Sequence, residues 1–315
     1  MSADAGTGPD PRHEAGVGDS LPSWRPQVPP EESAREALDW SAEFAPTALA
    51  FDGFGTLFAL DAATDRIYRR DSSGTWLRFG VGDQGGGRFA SLRALEVRGP
   101  DLYALDSAEG VLYRFGLDGR LRNSIVLGSR DLGTIDAVDF VVDKAGELWV
   151  LDRAGNRLLR FGRNGEFLAD LAEGAVGDER LSSPTRLALD PSGGVFVLEP
   201  GRRRVRRFSR QGELLGGWRY DLAAPAQGGP RAEANSVADL VVSSGEVVLV
   251  DGGGRWVRSY SPDGELRIEY RLSGHATSAA ALSSDGVLCL ARPDAGEIAR
   301  IRWTVGQDDG APGVR

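Results

Sequence analysis

Five acidic residues recur at the ends of similar apolar runs, and their spacing is the first feature of the chain that suggests chemistry. The runs LFALD, LYALD, LWVLD, VFVLE and VVLVD end at Asp61, Asp106, Asp152, Glu199 and Asp251. Carboxylate oxygens gathered around one channel would suit Ca²⁺. The simpler interpretation is that each acid accepts N–H bonds from the turn after its run, as such polar side chains do.

Histidine and cysteine add few candidates for catalysis. The two histidines, His13 and His275, cannot assemble a multi-histidine zinc or lyase site. His275 lies between serines 273 and 278 and is a candidate base at the mouth of a channel. Cys289 lies in the apolar run VLCLA and is predicted to be an inert core residue. The sequence therefore predicts no catalytic set, no metal site and no cofactor.

An arginine run forms the densest charge cluster of the chain, and it contains Arg202, Arg203, Arg204, Arg206 and Arg207. Arginine pairs with phosphate and stacks on bases, so RNA binding is one hypothesis. Strand alternation, however, sends these side chains to both faces, and the chain carries a formal charge of -9. We expect an acid-paired or solvated face, or a surface for an acidic protein partner, and nucleic acid is an unlikely partner.

The elements that position these residues are repeats. The apolar runs are spaced 40 to 52 residues apart, with VLCLA, ending at Ala291, as a degraded sixth copy. Within residues 184–218, the segments PTRLALD, VFVLE, RRVRRFS and ELLGGW are predicted to form four short strands, separated by Gly-containing turns such as RQGE. This period and strand count are typical of a propeller blade.

The sixth repeat supplies three strands before its apolar pattern ends, so the ring needs a closing strand. Apolar residues alternate with polar ones over 38–44, which predicts that this segment closes the last blade. The chain is thus predicted to be all-β, with a six-bladed β-propeller over 38–303 between a flexible arm (1–37) and a disordered tail (304–315). The insert at 221–235 is predicted to be a loop.

Three segments carry a family resemblance. FGVGDQGGGRFASLRALEV (79–97), LDRAGNRLLRFGRNGEFL (151–168) and VGDERLSSPTRLALDPSGGVFVLEPGRRRVRRF (176–208) resemble the NHL repeat. The resemblance implies a six-bladed propeller over roughly residues 46–303. It implies little about activity, because this architecture hosts lyases, hydrolases, RNA binders and scaffolds.

The absence of catalytic sets favours a non-catalytic, cytoplasmic scaffold that binds a protein partner and no membrane. Residues 47–71, TALAFDGFGTLFALDAATDRIYRRD, resemble propeller segments in tail proteins of phage-like contractile particles, so a structural subunit of such a particle is an alternative. A metal-dependent lactonase or lyase-type enzyme and an RNA-binding propeller are the other two alternatives.

Overall fold

The apolar runs that end in an acid form the second strands of antiparallel sheets. All residues of these strands are buried in the first five repeats. Each strand has a hydrogen-bonded neighbour on either side, and its two faces pack against different blades. Phe58 and Leu60, of the first repeat, pack toward the second repeat, whereas Leu57 and Ala59 pack toward the sixth. Burial on both faces explains why these runs are continuously apolar.

The structure, a computed structural model, describes residues 44–61, 64–70, 76–79, 89–128, 132–171, 177–221, 237–243, 245–272 and 274–303. Blade 1 contains β1 (Pro46–Phe51), β2 (Leu57–Asp61), β3 (Arg66–Arg70) and β4 (Trp76–Phe79). Blade 2 contains β5 (Leu92–Arg98), β6 (Asp101–Asp106), β7 (Val111–Gly116) and β8 (Leu121–Val126). Blade 3 contains β9 (Ala137–Val142), β10 (Leu148–Asp152), β11 (Arg157–Phe161) and β12 (Phe167–Asp170).

Blade 4 contains β13 (Arg186–Leu189), β14 (Val195–Glu199), β15 (Arg204–Phe208) and β16 (Leu214–Arg219). Blade 5 contains β17 (Val237–Ser243), β18 (Glu246–Asp251), β19 (Trp256–Tyr260) and β20 (Leu266–Arg271). Blade 6 contains β21 (Ala279–Leu282), β22 (Val287–Arg292) and β23 (Glu297–Arg302). The described residues also include two 3₁₀ helices, Gly177–Glu179 and Pro200–Arg202.

The six sheets form a ring. In each sheet the strands follow one another in chain order, as antiparallel meanders. The inner strands of successive blades contact each other, and β21 contacts β1, which closes the circle. The predicted six-bladed β-propeller is confirmed. We call the face where the inner strands begin the top face and the face where they end the bottom face.

Tight turns join the strands as the glycine pattern predicts. Gly146, in the turn DKAGE, has a φ of 81°, and Gly165, in the turn RNGE, has a φ of 92°. Both values lie in the left-handed region, where a side chain would be strained. Among the described residues, no helix has the length and apolar character needed to cross a bilayer.

The predicted closing strand, 38–44, lies outside the described residues except for its last position. Phe44 is buried between blades 6 and 1, among Leu49, Ala279 and Cys289. Its ring meets that of Tyr68 edge-on at 5.7 Å between centroids. The described part of blade 6 has three strands, so a fourth strand from 38–44 stays a prediction. The arm (1–37), the tail (304–315) and most of the insert 221–235 also lie outside the described residues.

Strand pairing shows which residue of blade 6 stands where the other five blades have their strand-end acid, and it is not the residue that the sequence pattern indicated. Asp61 pairs with Arg66, Asp152 with Arg157 and Glu199 with Arg204 across the hairpin of the second and third strands. In blade 6 the matching pair is Arg292 with Glu297, not Ala291. The ion pair is thus reversed in this blade, with Arg292 Nη1 3.0 Å from Glu297 Oε1. The apolar run hid this register because its pattern continues up to Ala291.

Candidate functional site

A cavity of about 480 Å³ lies on the propeller axis, and all six inner strands contribute to its wall. Its charged lining residues include four cations, Arg93, Arg98, Lys144 and Arg186. The acidic lining residues are Glu96, Asp139, Asp190 and Asp239. We call this space the central cavity. It is the candidate site because ionisable side chains converge there inside an otherwise apolar fold.

At one level of the inner strands, the wall of the central cavity is one-sided. One position can be compared around the ring. It is the inner-strand residue that pairs with the second-to-last residue of the second-strand run, and each of the six blades has one. In blades 3, 4 and 5 these residues are charged: Asp139, Arg186 and Asp239. In blades 6, 1 and 2 they are alanines: Ala279, Ala48 and Ala94. The alanines therefore lie across the ring from the charged residues of blades 3, 4 and 5.

Asp139 and Asp239 are fixed by the same pair of hydrogen bonds. Asp139 accepts bonds from the N–H of Phe140 at 3.0 Å and from that of Leu187, in the next blade, at 2.8 Å. Asp239 accepts bonds from the N–H of Leu240 at 2.8 Å and from that of Ala280, again in the next blade, at 2.6 Å. Each carboxylate therefore joins two inner strands while bordering the cavity.

Arg186 stands between these two acids in the ring and is held by blades 5 and 6. Its Nε lies 3.4 Å from Asp239 Oδ1. Its Nη1 donates to the carbonyl of Thr185 at 3.0 Å and its Nη2 to that of Ser278 at 3.4 Å. These contacts fix a guanidinium in the cavity wall.

Burial raises the pKa of two carboxyl groups of the cavity to values near neutral pH. Desolvation, followed by attraction from Arg98 and repulsion from Asp139, sets the pKa of Glu96 at about 8. Desolvation, opposed mainly by Arg186, raises the pKa of Asp139 to about 7. Burial also raises the pKa of Asp239. Acids with such values exchange protons at physiological pH.

The five strand-end acids are not among the residues that line the central cavity. Each is buried and binds its own blade or the segment leading into it. Asp61 accepts bonds from the Ala45 N–H at 3.4 Å and the Thr64 hydroxyl at 2.7 Å. Asp106 accepts bonds from the N–H groups of Ala90 at 2.6 Å and Ser91 at 3.1 Å.

The other three strand-end acids also pair with arginine. Asp152 accepts the Asp136 N–H at 3.0 Å and Arg157 Nη2 at 2.5 Å. Asp251 accepts Arg255 Nε at 2.8 Å. Glu199 accepts the Ser182 N–H at 2.6 Å, Arg204 Nε at 2.8 Å and Arg206 Nε at 2.9 Å. The N–H bonds to Asp152 and Glu199 fasten blades 3 and 4 to the segments that enter them, whereas Asp251 binds Arg255 within its own blade. The five carboxylates thus bind within their own blades or entering segments, and they are not part of the central-cavity lining.

The arginine run is divided among several contacts and does not present one free basic face. Arg204 and Arg206 bind Glu199 and backbone carbonyls of residues 178 and 180. Arg207 lies 3.7 Å from Asp190 and packs over the ring of Phe196. Arg202 lies 3.5 Å from the exposed Asp178, and Arg203 is exposed.

His275 lies in the segment between blades 5 and 6 and is not among the cavity-lining residues. Its carbonyl accepts a bond from the Thr277 hydroxyl at 3.4 Å. Cys289 is fully buried, and burial raises the pKa of its thiol to about 12. The structure thus brings neither residue to the site that the charged inner strands form.

The donor set of the central cavity does not fit a divalent cation. Within the described ranges, no group of three or more histidines, cysteines or acids is arranged to hold a metal ion. Asp139 and Asp239 lie two blades apart, and the guanidinium of Arg186 contacts the second of them. A divalent cation needs several convergent oxygen ligands. At this place it would instead be repelled by the fixed positive charge of Arg186.

Comparison with known proteins extends the fold assignment. No protein-family model and no curated protein matches the sequence. A virginiamycin B lyase from Staphylococcus aureus, an inactive variant with quinupristin, is similar with TM-score 0.58 and 15% identity, over 84% of this chain and 83% of that one. A gluconolactonase from Xanthomonas campestris gives 0.60 and 17%, over 83% and 86%. Regucalcin, a calcium-binding protein from Agrobacterium tumefaciens, gives 0.57 and 16%, over 84% and 93%. At these identities the likeness shows a shared propeller fold.

Proposed function

We propose that the chain is an enzyme of the lactonase or lyase type that transfers protons on a small molecule in the central cavity. The observation that carries the proposal is the neighbouring pair Glu96 and Asp139, whose pKa values lie at about 8 and about 7. Arg93 and Arg186 stand in the same wall. Propellers named as a lyase and a gluconolactonase share the fold, which supports this class over a purely structural one.

The two carboxyl groups have complementary roles between about pH 7 and 8. Asp139 is mostly ionised there and can accept a proton, whereas Glu96 is mostly protonated and can donate one. In lactone hydrolysis, Asp139 takes a proton from the water that attacks the carbonyl carbon. The ring C–O bond breaks, and Glu96 gives its proton to the departing oxygen. A guanidinium stabilises the negative charge that develops on the carbonyl oxygen.

The same pair can perform an elimination. Asp139 then removes the proton next to a carbonyl group, the electrons form a C=C bond, and Glu96 protonates the leaving oxygen. Neither route passes through a metal ion, since the described donor set does not fit one. The pH profile of kcat/KM is expected to be bell-shaped, with an acid limb from Asp139 near 7 and an alkaline limb from Glu96 near 8.

A panel of lactones, esters and cyclic depsipeptides tests this proposal at about pH 7.5, with and without divalent cations. Glu96→Gln is expected to lower kcat/KM by about 100-fold. Glu213→Gln, which changes an exposed acid on a turn, is the matched control and is expected to retain activity. Thermal unfolding verifies that both variants fold. Absence of turnover across the panel, or full activity of Glu96→Gln, would contradict the proposal.

Binding of an acidic protein partner is a second candidate function. A groove of about 590 Å³ lies on the bottom face between blades 2 and 3, and Arg98, Arg114, Lys144 and Arg163 line it. Fluorescence anisotropy with an acidic peptide tests this candidate. Lys144→Glu with Arg163→Glu is expected to abolish binding, whereas Arg202→Glu on the other face is the control.

The remaining alternatives rest on sequence patterns. Membership of the NHL group and a structural role in a phage-tail-like particle stay predictions. RNA binding through the arginine run has less support, because Arg204 and Arg206 are engaged by Glu199.

A further inference from the structure

Arg93 differs from half-buried arginines of the fold that have an acidic partner. Arg114, Arg157 and Arg204 each pair with an acid, at 2.5, 2.5 and 2.8 Å. The Arg93 side chain, on β5, is half-buried and borders the central cavity. It makes no hydrogen bond or ion pair with any residue that the structure describes. Burial, followed by repulsion from Arg153 and Arg186, lowers its pKa.

The charge balance of the cavity points the same way. Its four cations, Arg93, Arg98, Lys144 and Arg186, face four acids, and burial raises the pKa of three of these acids, Glu96, Asp139 and Asp239. The lining is therefore net positive, although the whole chain has a formal charge of -9. The attraction that Asp136 and Asp139 exert on Arg93 is smaller than the repulsion from Arg153 and Arg186, so an anionic ligand would lower the cost of burying this cation.

We infer that the ligand of the central cavity is a small organic molecule with an acidic group, a carboxylate or similar oxyanion, that binds Arg93. This inference rests on the proposed function and adds the substrate class. A guanidinium binds an oxyanion through two parallel N–H bonds. The remainder of the molecule lies against the alanines of blades 1 and 6, Ala48 and Ala279, which suit an uncharged body. The cavity volume of about 480 Å³ limits the ligand to a small molecule.

The alternative arrangement, in which Arg186 alone binds the acidic group, is less consistent with the contacts. Arg186 already borders Asp239 and donates to two backbone carbonyls. We assign Arg186 to holding the wall and the reacting carbonyl, and Arg93 to the acidic group of the ligand. Arg93 is thus a specificity residue for charge.

Isothermal titration calorimetry tests the inference with three probes: succinate, inorganic phosphate and the neutral analogue succinamide. Wild-type protein is expected to bind at least one anion saturably at millimolar concentrations and not to bind succinamide. Arg93→Gln is expected to weaken anion binding by about tenfold or more, and Arg93→Lys by less. Arg120→Gln, which removes an exposed cation on a turn, is the matched control and is expected to bind like wild type. Preference between succinate and phosphate identifies the type of oxyanion.

Three results would overturn the inference: no saturable anion binding by wild type, equal binding by Arg93→Gln, or an equal loss in Arg120→Gln. Thermal unfolding of Arg93→Gln without ligand shows whether it folds, and removal of an unpaired cation is expected to preserve or raise the Tm.

The result is separable from the fate of the proposed function. Anion binding that needs Arg93, without turnover of any substrate, would contradict only the enzyme assignment. Turnover of neutral substrates without any role for Arg93 would contradict only this inference.

Discussion

Two sets of carboxylates in this propeller have the same chemistry and opposite environments. The strand-end acids, such as Glu199, are buried with arginines and N–H groups directed at both oxygens. The inner-strand acids border the central cavity, and Glu96 makes no hydrogen bond with any described residue. Burial raises the pKa of all three inner-strand acids, Glu96, Asp139 and Asp239, although the last two accept backbone N–H bonds. The first set therefore stabilises the fold, and the second set is available for chemistry.

Repetition around the ring distinguishes the two sets as well. Five of the six blades carry a strand-end acid, and the sixth reverses the ion pair with Arg292 and Glu297. The inner-strand charges occur in some blades only, so they break the pseudo-symmetry. We infer that the strand-end acids, which recur in most blades, stabilise the blades, whereas the unevenly distributed inner-strand charges act on a ligand in the central cavity.

The largest expected effect is the loss of charge at Glu199. Glu199→Gln leaves Arg204 and Arg206 without their counterion, and Arg206 is only 4% exposed. We expect the free energy of unfolding to fall by about 3–5 kcal/mol, because breaking a buried ion pair strands a charge. Urea unfolding followed by circular dichroism measures it.

Asp178→Asn is the control for Glu199→Gln. The Asp178 side chain is 90% exposed, and its ion-pair partner is the half-buried Arg202. A solvent-exposed pair contributes little, so the expected loss is below about 1 kcal/mol. Similar losses of unfolding free energy in both variants would contradict the claim that the buried, arginine-paired Glu199 stabilises the fold more than the exposed Asp178 does.

Charge removal at Glu96 is expected to have the opposite sign. Its pKa is about 8 in the folded chain, whereas the ordinary value for a glutamate side chain is 4.5. The folded state therefore holds the proton longer, and stability falls as pH rises from about 4.5 to about 8. Glu96→Gln removes this loss, so the variant is expected to be more stable than wild type at high pH by an amount on the order of 2 kcal/mol.

Unfolding of Glu96→Gln and wild type over a pH series measures this difference. The two curves are expected to diverge as pH rises and then run parallel above about pH 8. Glu213→Gln, at an exposed position, is expected to follow wild type throughout. Divergence that grows toward low pH would mean that the fold stabilises the ionised form of Glu96, which would contradict the prediction.

The sequence was sufficient for the fold because every blade repeats the same apolar runs and glycine turns. The strands predicted within 184–218 and in the sixth repeat match β13–β16 and β21–β23 closely. The position of Arg292 was missed, since Ala291 continues the apolar pattern and only strand pairing fixes the register.

The candidate site could not be predicted in the same way. Asp139, Arg186 and Asp239 interrupt otherwise apolar inner strands, a signal visible once the repeats are aligned on their strand-end acids. Their convergence depends on the curvature of the ring, and the pKa of Glu96 depends on what surrounds it. Neither property is encoded in local periodicity, which is why the recurring acids attracted attention first.

The smallest effect concerns a strand-end acid without an arginine. Asp106 binds N–H groups of the segment before β5 and of its own turn, and Val111 occupies the place of the arginine. Asp106→Asn keeps one acceptor oxygen, so the expected loss is about 1–2 kcal/mol, less than at Glu199. Hydrogen exchange of Ala90 and Ser91 provides the local readout, since their N–H groups lose a charged acceptor. A loss as large as that at Glu199 would mean that fastening the entering segment, rather than pairing with arginine, is what the strand-end acids chiefly contribute.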